Sequence, residues 1–558
     1  MKIKAIIISV LLGITSLAAS AKEDAIIRIV PQPQSIETLG GSFKATGAVI
    51  NCDNNFSNEA KNAVHNFANH LTLVSGKMSS FASPNGLAAI VGAGEFKGFA
   101  FIFDPSMNPE AYSLEVNKKN VLVRASDLNG VLYSIQTIKQ LLPTEIYGNK
   151  PAPEQKWFLP CVKIQDEPRF AYRGMHLDCS RHFFSIAEVK KYLDIMSVYK
   201  LNRFHWHLSD DQGWRIEIKK YPELTLIGGY RSGTMVGHDF SSNDGVRYGG
   251  YYTQDQVREV ISYAEKLGIT IIPEIDLPGH MLGALSAYPD LGCKGGPYAT
   301  WTVWGVSEQV LCPGKESTFE FLEGVLGEIA ELFPSEYIHI GGDECPKSEW
   351  EKCDDCQARI AELGIKGDEH FSAEQYLQNY VTSRVQDFLA TKGKKIIGWD
   401  EILEGKLSEG ATVMSWRGVE GGIKAAGMGF DAIMTPTTYC YFDYCQAEDK
   451  EKEPLNIGGY VPVEKIYGYE PMEGMPAGAE KHILGVQANL WTEYISSDKQ
   501  LEYMLLPRLL ALSEVQWCRP EGKDFNRFRD SLVNHEFNIL DMMGYTYSKV
   551  ILGINGYE

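Results

Sequence analysis

At 558 residues the chain is long enough for more than one domain, and its net charge of −19 with a sequence pI near 5.2 excludes the broad basic surface that nucleic acid or an anionic membrane selects. A neutral, polar partner remains compatible with that balance. Eleven cysteines, an odd number without the spacing of a small stapled scaffold, define no disulfide framework.

The chain opens with Lys2 and Lys4, an apolar run from Ala5 to Leu17, and the small residues Ala19, Ser20 and Ala21. That is the pattern of a cleaved export signal over 1–21, and the run is too short for a spanning helix. No Cys lies near the cut to carry a lipid, so a periplasmic or secreted protein without membrane insertion is expected. From 22 to 166 short strand-like runs, Tyr112–Val116 among them, alternate with helical stretches at 58–73 and 128–142, as in a small α+β domain. The Pro-containing stretch 143–168 reads as its boundary.

Residues 167–558 follow a different rhythm. Eight apolar runs, at Tyr172–Asp178, 202–211, 270–279, 337–344, 395–401, 412–417, 432–443 and 483–493, each end in polar, aromatic or Gly-rich residues. Amphipathic helices are predicted between several of them, at 186–199, 253–267, 318–333 and 373–391. Strand then helix, repeated eight times, predicts a (β/α)8 TIM barrel, which carries its chemistry at the C-terminal strand ends. The run ends RGMHLDCSRHF, FHWHLSDDQGW, PEIDLPGH, HIGGDE, GWDEI, MSWRG, YCYFDY and LWTE are loaded with carboxylates, His, Arg and aromatics, which a packed barrel interior does not require.

The fourth run closes in HIGGDE, where two glycines let the backbone bend and leave room for a ligand, and Asp343 and Glu344 follow. A retaining glycosidase of the ordinary kind places two carboxylates about 5 Å apart across the scissile bond. On an extended strand adjacent side chains point to opposite faces, so this pair is expected to serve different parts of one sugar, with the substrate supplying the nucleophile. His205 and His207 share a strand face and read as structural support. The pair Cys353 and Cys356 is a single CxxC without a second matching pair, expected to be a surface loop or local bridge rather than a zinc site.

These eight motifs, in this order, resemble glycoside hydrolase family 20, the β-N-acetylhexosaminidases, and the likeness spans nearly all of the chain after residue 21. The resemblance implies an exo-acting enzyme that releases terminal N-acetylglucosamine or N-acetylgalactosamine, with no cofactor and no metal, the 2-acetamido group acting as nucleophile. It implies Glu344 as acid and then base, Asp343 on the acetamido N–H, and Tyr441 on the carbonyl oxygen. Arg181 would hold sugar hydroxyls, Trp399, Trp416 and Trp491 would wall the pocket, and Asp443 and Glu493 would bind the remaining hydroxyls. Asp210 and His280 would bear on Glu344 from behind, although the adjacent Asp211 leaves open which aspartate faces inward. Loops 233–250 and 292–306 would shape the leaving-group side.

Two alternatives differ in class. A metal-dependent amidohydrolase could use the His205/His207 pair with His280 and His339, but the later runs end in Trp399, Trp416 and Trp491, not in further ligands. A glycan-binding protein without turnover would not require Asp343, Glu344 and Tyr441 together.

Overall fold

The computed structural model describes residues 26–92, 96–407, 409–554 and 557. The expected export signal at 1–21 lies outside them. Among the described residues no helix is long and apolar enough to cross a membrane.

Eight parallel strands close into a barrel in chain order, Tyr172–Asp178, Arg203–His207, Thr270–Glu274, Tyr337–His339, Lys395–Trp399, Thr412–Ser415, Ala432–Met434 and Ile483–Ala488. The last pairs with the first through Gly485 and Tyr172. The first strand is buried at all seven positions, as a strand covered on both faces must be. Ile272, Ile397, Met414 and Ile433 fill the interior beside Tyr172 and Trp399. The expected helices form at Ile186–Val198, Gln254–Lys266, Glu316–Leu332 and Ala373–Thr391. Two of them begin at reciprocal capping boxes that are local in sequence, Thr253 with Gln256 and Ser372 with Gln375.

Most strands are shorter than the apolar runs that announced them. The fourth stops at His339, so Asp343 and Glu344 lie beyond it in a turn, not on an extended strand with alternating faces. The turn is tight: Gly341 and Gly342 have φ of 63° and 100°, and Glu344 itself takes a left-handed φ of 44°. A Cβ on Gly341 would stand 1.7 Å from Asp276 Oδ1. The space left by that glycine is therefore taken by a neighbouring carboxylate, not by a ligand.

Ahead of the barrel, seven strands form one mixed sheet in the order Ser35–Lys44, Phe158–Asp166, Tyr112–Val116, Asn120–Ala125, Gly98–Phe103, Val49–Cys52 and Ser80–Ala82. Helices Asn58–Ser75 and Leu128–Leu141 pack their buried residues into its core. The Pro-containing stretch expected to be a boundary holds the nine-residue strand Phe158–Asp166. Its Pro160 opposes Ser42 only, before pairing with Tyr112–Val116 begins, where a missing N–H is tolerated. Trp517, from the helix Arg508–Trp517 that follows the last barrel strand, also enters this core, so the sheet and the barrel share a packed seam.

Candidate active site

At the C-terminal mouth of the barrel lies a cavity of about 380 Å³, lined by Arg181, Asp343, Glu344, Trp399, Trp416, Tyr441, Asp443, Trp491 and Glu493 together with loop residues. The nine come from six strand ends, and closure of the barrel brings them together. Asp210 and His280 lie beneath the cavity, as a connected chain of contacts.

That chain starts at Arg181, whose Nη2 lies 2.8 Å from Asp210 Oδ2. Asp210 Oδ1 meets His280 Nδ1 at 3.1 Å, and His280 Nε2 faces Glu344 Oε2 at 3.5 Å. Asp211 also touches His280 Nδ1, at 3.3 Å, but its two oxygens mainly accept the backbone N–H groups of Leu282 and Ser307. The aspartate on the arginine is thus Asp210, while both aspartates bear on the histidine. Burial disfavours a charged His280, yet Asp210 overrides it and drives the imidazole well above its ordinary range. The hydrogen bond from His280 then holds Glu344 below the usual glutamate value. Glu344 keeps 42% of its side chain exposed against 12% for Asp343.

Asp343 has the opposite character. Burial pushes it up to about 6, with His280 pulling the other way and Glu344 adding to the rise. Its Oδ1 is buried without a hydrogen-bond partner. Asp276 stands behind it, accepting the Gly342 N–H at 3.1 Å, and burial together with Asp343 pushes Asp276 well above the ordinary range. Asp443 is raised well above its range by burial and then by Glu493, and its Oδ1 is likewise unpartnered. Tyr441 is buried and held neutral, as a donor. Other buried polar atoms of the described residues lack a partner too, Glu536 Oε1 among them, but Asp343 and Asp443 line the cavity, where a ligand could complete the bonding.

The three tryptophans belong to both core and cavity. Trp399 donates its indole N–H to Glu274 and Trp416 to Glu401, each at 3.0 Å. Trp416 stacks on Tyr441 with rings 27° apart, and Arg181 lies over Trp491 at 5.1 Å. Under this layer His205, His207 and His339 surround Glu274, at 3.0, 2.5 and 2.9 Å. The His-x-His pair therefore serves as a hydrogen-bonded support below the cavity.

Sequence reasoning missed Asp276, Glu274 and Glu401, although all three stand inside the motifs PEIDLPGH and GWDEI. It also missed Tyr444, Tyr494 and Ile457 on the cavity wall. The first two follow assigned residues closely; Ile457 comes from a loop with no motif. Phe240 and the tip Trp304, Gly305 and Val306 bring both expected loops to the wall.

The comparisons agree with this architecture. The model of the catalytic domain of glycosyl hydrolase family 20 matches residues 170–520, and that of the family's domain 2 matches 27–167. The chain is 46% identical over 443 residues to a β-hexosaminidase of Porphyromonas gingivalis, covering 79% of this chain and 55% of that protein, so it spans little more than half the length of that relative. It is 32% identical to a β-hexosaminidase of Akkermansia muciniphila, covering 79% and 86%. Among solved structures it is similar to a family 20 exo-β-N-acetylglucosaminidase of Vibrio harveyi bound to N-acetylglucosamine, with TM-score 0.78, 33% identity and coverage of 93% and 78%. A β-N-acetylhexosaminidase of Bacteroides fragilis gives TM-score 0.78 and 30% identity over 95% and 99%. With a closed barrel, the mixed sheet before it and matches over both, the chain belongs to glycosyl hydrolase family 20.

Proposed function

We propose that the protein is an exo-β-N-acetylhexosaminidase that removes terminal N-acetylhexosamine with retention, the substrate's own acetamido group being the nucleophile. The observation that carries this reading is Asp343: buried, adjacent to Glu344, and presenting an unpartnered Oδ1 in a cavity walled by Tyr441 and three tryptophans. A cavity of about 380 Å³ is at the small end of ligand sites, in keeping with one terminal sugar.

In this mechanism Glu344 protonates the departing oxygen while the acetamido carbonyl attacks the anomeric carbon. Asp343 accepts the acetamido N–H and offsets the positive charge of the oxazolinium, and Tyr441 donates to the carbonyl oxygen and aligns it. Glu344, now a carboxylate, takes a proton from the water that opens the ring. Two inversions give retention. The His280 hydrogen bond holds Glu344 below the usual glutamate value in the free protein, and covering its exposed side with sugar raises its proton affinity, which readies it as the acid.

The test is a pair of aryl glycosides that differ only at C2. Replacing 2-acetamido by 2-hydroxyl is expected to abolish nearly all turnover, and a thiazoline mimic of the oxazolinium is expected to bind far more tightly than the sugar product. A glycosyl ester on any Asp or Glu of the chain, trapped during turnover and found by mass spectrometry, would overturn the reading.

A further inference from the structure

Four cysteines that are scattered in sequence meet beside the active site. Cys312 Sγ lies 3.7 Å from Cys353 Sγ and 3.5 Å from Cys356 Sγ, and Cys293 Sγ lies 3.8 Å from Cys356 Sγ. All four sulfurs are within 4.8 Å of one another. The lone CxxC of the sequence thus acquires the second pair that it lacked, Cys293 and Cys312. We propose that these four thiolates form a structural zinc site.

The distances support a shared ion. Four sulfurs at about 2.3 Å from one zinc stand about 3.8 Å apart at the corners of a tetrahedron. Three of the six separations, 3.5, 3.7 and 3.8 Å, are of that size and the other three stay within 4.8 Å, whereas disulfide sulfurs stand only about 2.0 Å apart. Thiolate ligands select zinc over hard cations, and a closed set of four with no open position is the structural rather than the catalytic kind.

The surroundings are those of a metal knuckle. Cys312, Cys353 and Cys356 are buried with Val310, Trp350, Ile360 and Leu377. Gly314 follows Cys312 and Pro313, and a Cβ on it would fall 2.2 Å from Asp355 C and 2.4 Å from Cys356 N, so only glycine lets the two segments come this close.

The site's position gives it a purpose. Cys293 and Cys312 bracket the loop whose tip, Trp304 to Val306, lines the cavity, while Cys353 and Cys356 belong to the segment that follows Glu344. The ion would tie these two edges together at the base of the loop, whose Ser307 N–H reaches Asp211 at 3.2 Å. No step of catalysis passes through it.

Elemental analysis of the full chain, purified without added metal, tests this. About one zinc per chain is expected, with X-ray absorption showing four sulfur neighbours at about 2.3 Å, and a Cys353→Ser/Cys356→Ser variant should lose it. The assignment is overturned by unmutated protein that carries no zinc, whether alkylation in denaturant finds the four cysteines paired as disulfides or all free. It is also overturned by zinc with nitrogen or oxygen in place of sulfur neighbours. The measurements on the unmutated chain decide the matter even where the variant does not fold.

Discussion

The seam between sheet and barrel and the barrel mouth both bury charge, and they treat it differently. At the seam between sheet and barrel, Asp166 faces Lys200 Nζ at 2.9 Å with both side chains fully buried. Its oxygens also accept Tyr112 OH at 2.6 Å, Trp517 Nε1 at 2.8 Å and Gln34 N–H at 3.1 Å. Nearby Arg173 forms two 3.0 Å bonds to Glu110 and others to Lys200 O, Phe170 O and Tyr133 OH. At the barrel mouth Asp343 and Asp443 are buried as well, but each keeps an oxygen without a partner. Burial alone does not separate a strut from a site. Unspent hydrogen-bonding capacity that opens on a cavity does: Glu536 Oε1 is also buried without a partner but lines no part of the barrel mouth, whereas Asp343 and Asp443 line it.

The comparison breaks most sharply at Glu344. Glu344→Gln is expected to fold normally and to lose ~10²–10⁴ in turnover of substrates with poor leaving groups, less for acidic ones, since the amide cannot donate the proton. Steady-state kinetics over a leaving-group series checks this; equal losses across the series, with formation of the intermediate rate-limiting throughout, would remove Glu344 from the acid role.

The paired substitutions Asp343→Asn and Asp166→Asn sharpen it. At Asp343 the loss should fall on kcat, by ~10²–10³, as for other groups that meet charge developing in the transition state. The unfolding midpoint should hold or rise. Its proton affinity is raised on folding, to about 6, so the native state holds that proton more tightly than the unfolded chain and the charge costs stability above about pH 6. At Asp166 the order reverses: the orphaned Lys200 should cost about 3–5 kcal/mol, read by denaturant unfolding, while kcat of the folded fraction stays near its original value. An Asp343→Asn that raised only KM would make that residue a binding group.

A smaller effect is expected from pH. In the proposed mechanism protonating Asp343 removes the charge that faces the oxazolinium, so kcat, which reports the complex where covered Glu344 has taken up its proton, should fall on the acid side as Asp343 is protonated. Because Asp276 and Asp343 share the site, the acid limb reports the pair. In Asp343→Asn that limb should vanish.

The order of the eight barrel strands, the helices that start at Thr253 and Ser372, and the strand-end motifs that supply Arg181, Asp343, Glu344, Tyr441 and the tryptophans were all legible in the sequence. Each depends on a pattern a few residues long, an apolar run, a cap or a motif, which one stretch of chain carries by itself. What the tertiary structure decided depends on contacts between distant stretches. Asp276 fills the room beside Gly341, Arg181 selects Asp210 while Asp211 turns to backbone N–H groups, and Asp343 and Glu344 part through a left-handed turn after a strand that stops at His339. Cys293 and Cys312 reach the CxxC across 41 to 63 residues. No local periodicity records such meetings, because closing the barrel and folding its loops set which side chains share a space and which polar atoms are left without a partner.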